Sequence, residues 1–248
     1  MADLLELGKK LVKDGPHKIE STPRRVRGLL GGIYVFDTTR ASYVWEHKYY
    51  PYFYIPASDF AHKVLEKTHD SNSKEACWLA KLKVPQKTTD RLLGFSSRTN
   101  PLDGLIRIEV SALDKWFVED EQILGPHPKD PYKRIECLPS SREVRVEIDD
   151  AIVAISSQNI FLYETMLRPR YYLGETHVNW EFLRESDTTS FCPYKGMANY
   201  YDVVVGDKVI KDAVWYYKYP TAESALVAGR LCFYNEKFDV FLDGVKES

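Results

Sequence analysis

Between Arg142 and Leu183 the apolar and polar positions fall into a strand rhythm. Val144, Val146 and Ile148 alternate with Arg145 and Glu147, the period-two pattern of a strand with one buried face. Asp149-Asp150 reads as a tight turn. "AIVAI" then predicts a second strand, and after a polar break at Ser156–Asn159, "IFLYE" predicts a third. Thr176 offers a side-chain oxygen that would cap a short helix. Further on, "YYDVVVGDKVIKDAVWYYKY" predicts a hairpin closed by Gly206-Asp207. "TAESALVAGR" predicts a short helix capped by Thr221 and ended by Gly229. "LCFYNEKFDVFLDGV" predicts a last hairpin turning near Asn235-Glu236. At the other end of the chain, Leu4, Leu7 and Leu11 stand at helical spacing and predict a short amphipathic helix docked on the body.

The same pattern occurs earlier. Arg24–Leu65 overlays Arg142–Leu183 with one constant shift of 118 residues and no gap. Eight of the 42 positions are identical, among them Arg27/Arg145, Glu46/Glu164, Pro51/Pro169 and Tyr54/Tyr172. About two or three would match by chance, and fixed-period similarity marks duplicated units. Gly31-Gly32 takes the place of the Asp149-Asp150 turn, and Ser58 that of the Thr176 cap. On this reading the first copy keeps the opening of the repeat but not its ending. The polar run Glu66–Ala76 reads as an exposed inserted loop, and Trp116 echoes Trp215 only at a reduced shift of 99 residues. Pro126, Pro128, Pro131 and Pro139 crowd the connection between the copies, which predicts an extended, irregular boundary. The expected organisation is an N-terminal helix or arm at 1–20, a first repeat domain at 21–125, a proline-rich segment at 126–141 and a second repeat domain at 142–248.

Composition narrows the function classes. Apolar residues make up 44% and charged residues 28% of the 248, enough for a real core. A net charge of -2 gives no basic face for a phosphate backbone, so nucleic acid is not an expected partner. Apolar runs are far shorter than a membrane span, and no secretory signal opens the chain, so a cytoplasmic protein with reduced thiols is expected. Cys77, Cys137, Cys192 and Cys232 are scattered without any C-x-x-C pair, which argues against a structural zinc. No metal and no cofactor are expected.

The chemically dense motif is "SFCPYKGMANYYDV", Ser190–Val203. A thiol is nucleophilic as its thiolate, which a nearby cation favours. Lys195 follows Cys192 across a turn that Pro193 and Gly196 would tighten. The alternative is a small buried cysteine at a strand end and a solvated lysine. Glu164 ends an apolar strand beside aromatics, where a carboxylate can act as acid or base; alternatively it pairs with Arg142 or Arg145. Tyr171, Tyr172, Tyr194, Tyr200, Trp215 and Tyr217 are too many polar-tipped aromatics for a dry core, and suit a half-open aromatic pocket. Arg170 adds a cation beside them. His127 and Asp130 are placed to reach a cleft between the copies.

Several long stretches resemble the domain-of-unknown-function 427 family, and more closely its tandem form in fungi and actinobacteria. They are "VWEHKYYPYFYIP", "HPKDPYKRIECLPSSREVRVEIDDAIVA", "PRYYL", "FCPYKGMANYYDV" and "DAVWYYKYP…AGRLCFYNEKFDVFLDG". The resemblance covers about residues 16–244. It implies a mainly β fold with short helices: two tandem β-tent-like antiparallel-sheet domains, here without the zinc ligands of the β-tent relatives. The family has also carried a nucleotidyltransferase label, but the chain offers no Gly-rich phosphate cradle and no metal-binding carboxylate pair.

The expected function is therefore a cytosolic small-molecule enzyme of unassigned reaction, with its pocket mainly in the second copy. Cys192, Lys195 and Glu164 are the catalytic candidates. Tyr171, Tyr172, Tyr194, Trp215, Tyr217, Arg170 and His127 are the substrate-binding candidates. The alternatives are a non-catalytic ligand- or protein-binding module and a nucleotide-handling transferase. The sequence leaves the oligomeric state open.

Overall fold

Each repeat opens on a two-residue turn in left-handed backbone, φ 46° and 65° at Asp149-Asp150 and 56° and 80° at Gly31-Gly32. This is the turn that suits the right-handed twist of paired strands. The computed structural model describes residues 2–68, 76–96 and 100–247. The chain divides into two units, Met1–Asp130 and Pro131–Ser248. Both are mainly antiparallel β structure, as the sequence pattern and the family resemblance lead one to expect.

The first unit opens with helix α1 (Ala2–Asp14). Its strands are β1 (Lys18–Ser21), β2 (Val26–Leu30), β3 (Ile33–Thr38), β4 (Ser42–Trp45), β5 (Tyr52–Pro56), β6 (Leu65–Lys67), β7 (Cys77–Val84), β8 (Lys87–Phe95), β9 (Leu105–Ile108), β10 (Lys115–Val118) and β11 (Glu121–Ile123). The second unit has β12 (Ile135–Ser140), β13 (Val144–Ile148), β14 (Ala151–Ser156), β15 (Asn159–Glu164), β16 (Arg170–Leu173), β17 (Leu183–Cys192), β18 (Gly196–Val205), β19 (Lys208–Pro220), β20 (Leu231–Phe233), β21 (Asp239–Leu242) and β22 (Val245–Lys246).

The order of the larger sheet is β1-β4-β5-β9-β8-β7-β6 in the first unit and β12-β15-β16-β20-β19-β18-β17 in the second. The smaller sheets run β11-β10-β2-β3 and β14-β13-β21-β22. Strand for strand these are the same topology. The repeat thus extends through the whole of both units, which corrects the expectation that the first copy loses its ending. Loops of different length hide this: the shift grows from 118 to 125 residues, where Tyr54 faces Arg107 and Tyr172 faces Cys232. Trp116 and Trp215 are not counterparts. Trp116 lies opposite Gly28 in a smaller sheet, and Trp215 opposite Cys232 in a larger one. The expected last hairpin is also a crossover, because β20 pairs with β16 and β19 whereas β21 pairs with β13.

Other local expectations are modified in the same way. Of the polar run Glu66–Ala76, residues 69–75 lie outside the described residues, and its start belongs to β6. The expected irregular segment carries a strand: Pro139, which lacks an N–H, sits in β12 at the edge of the sheet, where proline is tolerated. The 3-10 turns Ala57–Asp59 and Glu175–His177 start one residue before Ser58 and Thr176 and have no side-chain cap.

Alternation places the buried residues of β2, β3 and β10 against those of β4, β5, β7, β8 and β9 in the first core, and β13, β14 and β21 form the matching core of the second unit. The far face of each larger sheet is covered differently. In the first unit Leu4 and Leu11 of α1 pack on Tyr54, Cys77, Leu93 and Phe95. A Cβ on Gly8 would stand 2.8 Å from Leu93 and 2.9 Å from Cys77, so glycine lets the helix approach the sheet. In the second unit the same face gathers Tyr172, Ala198, Trp215, Tyr217, Val227 and Cys232.

Candidate functional site

The C-P-Y-K-G motif forms the β17–β18 turn. Lys195 N–H donates to the Cys192 carbonyl at 3.2 Å. Gly196 holds φ at 100°, and a Cβ there would stand 3.0 Å from the Tyr219 carbonyl, so only glycine fits without strain. The segment after β19 then fixes the turn. Thr221 N–H donates to the Lys195 carbonyl at 3.1 Å, and Ser224 Oγ donates to the Tyr194 carbonyl at 3.2 Å. Thr221 Oγ1 donates to that same Tyr194 carbonyl and does not cap the 3-10 segment it precedes.

A turn tied at this many points directs its lysine. Lys195 Nζ donates to Glu164 Oε2, not to Cys192. Glu164 closes β15, and its side chain is only 5% exposed. Lys133 Nζ lies 3.5 Å from the other carboxylate oxygen and over the Tyr194 ring, 5.6 Å from its centroid. Neither arginine weighed as a partner of Glu164 takes that place: Arg142 pairs with Asp243 and Arg145 with Glu147.

Behind this pair stands the aromatic face. Trp215 Nε1–H donates to Tyr172 Oη at 3.1 Å. Burial, followed by the nearby Cys192, Tyr200 and Cys232, pushes the Tyr217 phenol well above its ordinary range. Burial and then Cys232 do the same to Tyr172. Arg170 lies over Trp215 at 5.4 Å and Tyr234 at 5.8 Å, and its guanidinium is held by Glu236 at 2.9 and 3.0 Å. Ser190 Oγ and Tyr200 Oη share a hydrogen bond of 2.6 Å. The Cys232 thiol is fully buried, and burial pushes its pKa up.

Of the residues singled out from the sequence, the turn residues Cys192, Tyr194 and Lys195 gather here with Glu164, Arg170, Tyr172, Trp215 and Tyr217. The last three are buried and not half-open, and the Trp215 indole finds its partner in the Tyr172 phenol within the sheet face. Tyr171 points the other way, into the core between the sheets, and donates to Glu247. His127 belongs to the first unit, where it stacks on Tyr50 with ring centroids 3.8 Å apart and lines a cleft with Tyr52, Phe53 and Trp116. Asp130 accepts from Trp45 Nε1 at 2.9 Å. Tyr200, expected among the pocket aromatics, is here as well, and Lys133, Cys232 and Tyr234 join the site without having been singled out for it. Cys232 was legible only as one of four scattered cysteines, since its role depends on register.

The first unit supplies an internal control. Glu46, the counterpart of Glu164, accepts from Arg107 Nε at 2.5 Å, from Arg107 Nη2 at 3.3 Å and from Tyr54 Oη at 3.0 Å. The strand register places Cys232 where Arg107 stands, and the 118-residue shift places Arg170 where Tyr52 stands. The arginine has in effect moved one strand over, and it now pairs with Glu236. The buried glutamate is thereby left to two lysines. Arginine stays protonated in proteins, whereas lysine can exchange its proton. The first copy holds its glutamate with one arginine, and the second holds it between two ammonium groups.

Among the described residues, no group of three or more His, Cys, Asp or Glu side chains could hold a metal ion. No helix among them is long and apolar enough to cross a membrane. A family profile described as Domain of unknown function (DUF427) matches the chain twice, over residues 18–114 and 136–244, one match in each unit. No curated protein matches the chain.

Proposed function

The chain belongs to the Domain of unknown function (DUF427) family as two tandem copies, and we propose that its second unit is an enzyme acting on a small molecule through the Lys195–Glu164 pair. One observation carries this reading. The glutamate common to both units is locked by Arg107 in the first and matched to a lysine from the C-P-Y-K-G turn in the second. The lysine can give a proton to one atom of a substrate while Glu164 takes one from another. The proton then returns from Glu164 to Lys195 along their shared hydrogen bond, so the cycle needs no further reactant. The half-buried Tyr200, Tyr234 and Arg170 shape the substrate space over the closed packing of Trp215 and Tyr217, and Cys192 borders it. The four free thiols fit a cytosolic setting.

The test compares the purified wild-type protein with Glu164→Gln and Lys195→Met in a small-molecule cell extract followed by mass spectrometry. At least one compound is expected to be converted by the wild type and by neither variant. Conversion that survives in both variants, or no conversion by the wild type, overturns the reading. In the second case a non-catalytic binding module becomes the better account.

A further inference from the structure

The charge balance around Glu164 deepens this reading and rests on it. Two ammonium groups, Lys195 and Lys133, bracket the two oxygens of one carboxylate. It is the only carboxylate that either pairs with among the described residues. The nearby Arg170 adds nothing to the balance, since Arg170 and Arg168 are matched by the two carboxylates Glu236 and Glu247. The cluster therefore carries one surplus positive charge. Its side chains are 5% (Glu164), 14% (Lys195) and 21% (Lys133) exposed, too enclosed for water to screen that charge fully. Lys133 gains part of its compensation from the Tyr194 ring, an interaction that an aromatic face provides for a cation. In the first unit the corresponding cluster is one glutamate and one arginine and is neutral, so the surplus is particular to the copy with two lysines.

We infer that the second unit takes a substrate bearing a small oxyanion, a carboxylate or phosphate, held by Lys133 beside the Lys195–Glu164 pair. Lys133 is the binding residue, and Lys195 and Glu164 remain the proton-transfer pair. The oxyanion completes the cluster's charge balance.

Isothermal titration calorimetry of the full-length protein with benzoate, neutral benzamide and inorganic phosphate tests this. Benzoate is expected to bind saturably at one site, with benzamide weaker by about tenfold or more, the scale of one lost charge-assisted contact. Phosphate competition with benzoate would show that charge alone suffices; its failure to compete would restrict the site to carboxylates. Lys133→Met should weaken benzoate by about tenfold, Lys133→Arg should retain it, and the distant Lys208→Met should change nothing. Equal binding of benzoate and benzamide, wild-type affinity in Lys133→Met, or no saturable binding of either anion overturns the inference. The two readings fail separately. Turnover that survives in Glu164→Gln and Lys195→Met, with Lys133-dependent benzoate binding, removes the acid–base reading alone. Turnover that depends on the pair, with benzoate indifferent to Lys133, removes the oxyanion site alone.

Discussion

Lys195 reaches across from the β17–β18 turn to Glu164 at the end of β15, and the equivalent carboxylate of the first unit, Glu46, is held by Arg107 on β9. One scaffold position thus carries an ion pair in both copies, with partners drawn from different strands.

The two pairs should differ in what they contribute to stability. Arg107 and Glu46 are 9% and 7% exposed in their side chains, and removing one partner leaves a buried uncompensated charge. Glu46→Gln should cost about 3–5 kcal/mol. Glu164→Gln leaves two lysines that are closer to water and should cost about 1–2 kcal/mol. Urea unfolding of both variants measures the difference, and an equal or larger loss in Glu164→Gln would contradict it.

Gly196→Ala should destabilise more than Gly206→Ala. Both glycines hold positive φ, but an added Cβ meets the Tyr219 carbonyl at Gly196 and nothing within 4 Å at Gly206. The expected costs are about 2–3 kcal/mol and about 1 kcal/mol. Thermal or urea denaturation measures both. In Gly196→Ala the displaced turn should also lower turnover, because Lys195 is the residue before it.

The thiols should fall into two classes. Cys77 and Cys232 are buried, while Cys137 and Cys192 are half-buried. Iodoacetamide followed by peptide mass spectrometry should label Cys77 and Cys232 about a hundredfold more slowly, since they react only when the surrounding structure opens. Fast labelling of Cys232 in the folded protein would show that the sheet face is open at that point.

Stability should fall at both ends of the pH range. Hydrogen bonds from Arg25 to Asp37, from Lys87 to Asp114, from Arg170 to Glu236 and from Arg142 to Asp243 hold these carboxyls below their ordinary range. A depressed folded pKa gives stability that is present above the unfolded value, about 4, and is lost as the pH drops below it. At the alkaline end, burial pushes Tyr201 and Tyr234 up to about 12. Their contribution is complete below the unfolded value, about 10, and is lost as pH rises from there through about 12. Urea midpoints across pH should therefore form a plateau between about 4 and about 10 that declines on both sides.

Much of the strand content was legible because it is local. Val144, Val146 and Ile148 alternate on a single face, and Asp149-Asp150 and Gly31-Gly32 can hold the left-handed turn that joins two strands. Leu4 and Leu11 announce the helix that covers the first sheet. Less local features were misread. Trp116 and Trp215 share a residue type but sit in different sheets, and "LCFYNEKFDVFLDG" has the look of a hairpin although its halves join different sheets. Periodicity states which face of a strand is buried, but not which strand lies beside it.

The sequence alone determined the duplication, the β class and the presence of the C-P-Y-K-G turn in a single copy, because side-chain alternation and turn chemistry are properties of neighbouring residues and self-similarity is read by laying the chain over itself. Only the tertiary structure decided that Lys195 serves Glu164 and not Cys192, that Lys133 shares the carboxylate, and that Cys232 stands where the first unit has Arg107. Those relationships join residues from separate strands, and they are set by the register and curvature that packing of the two sheets imposes.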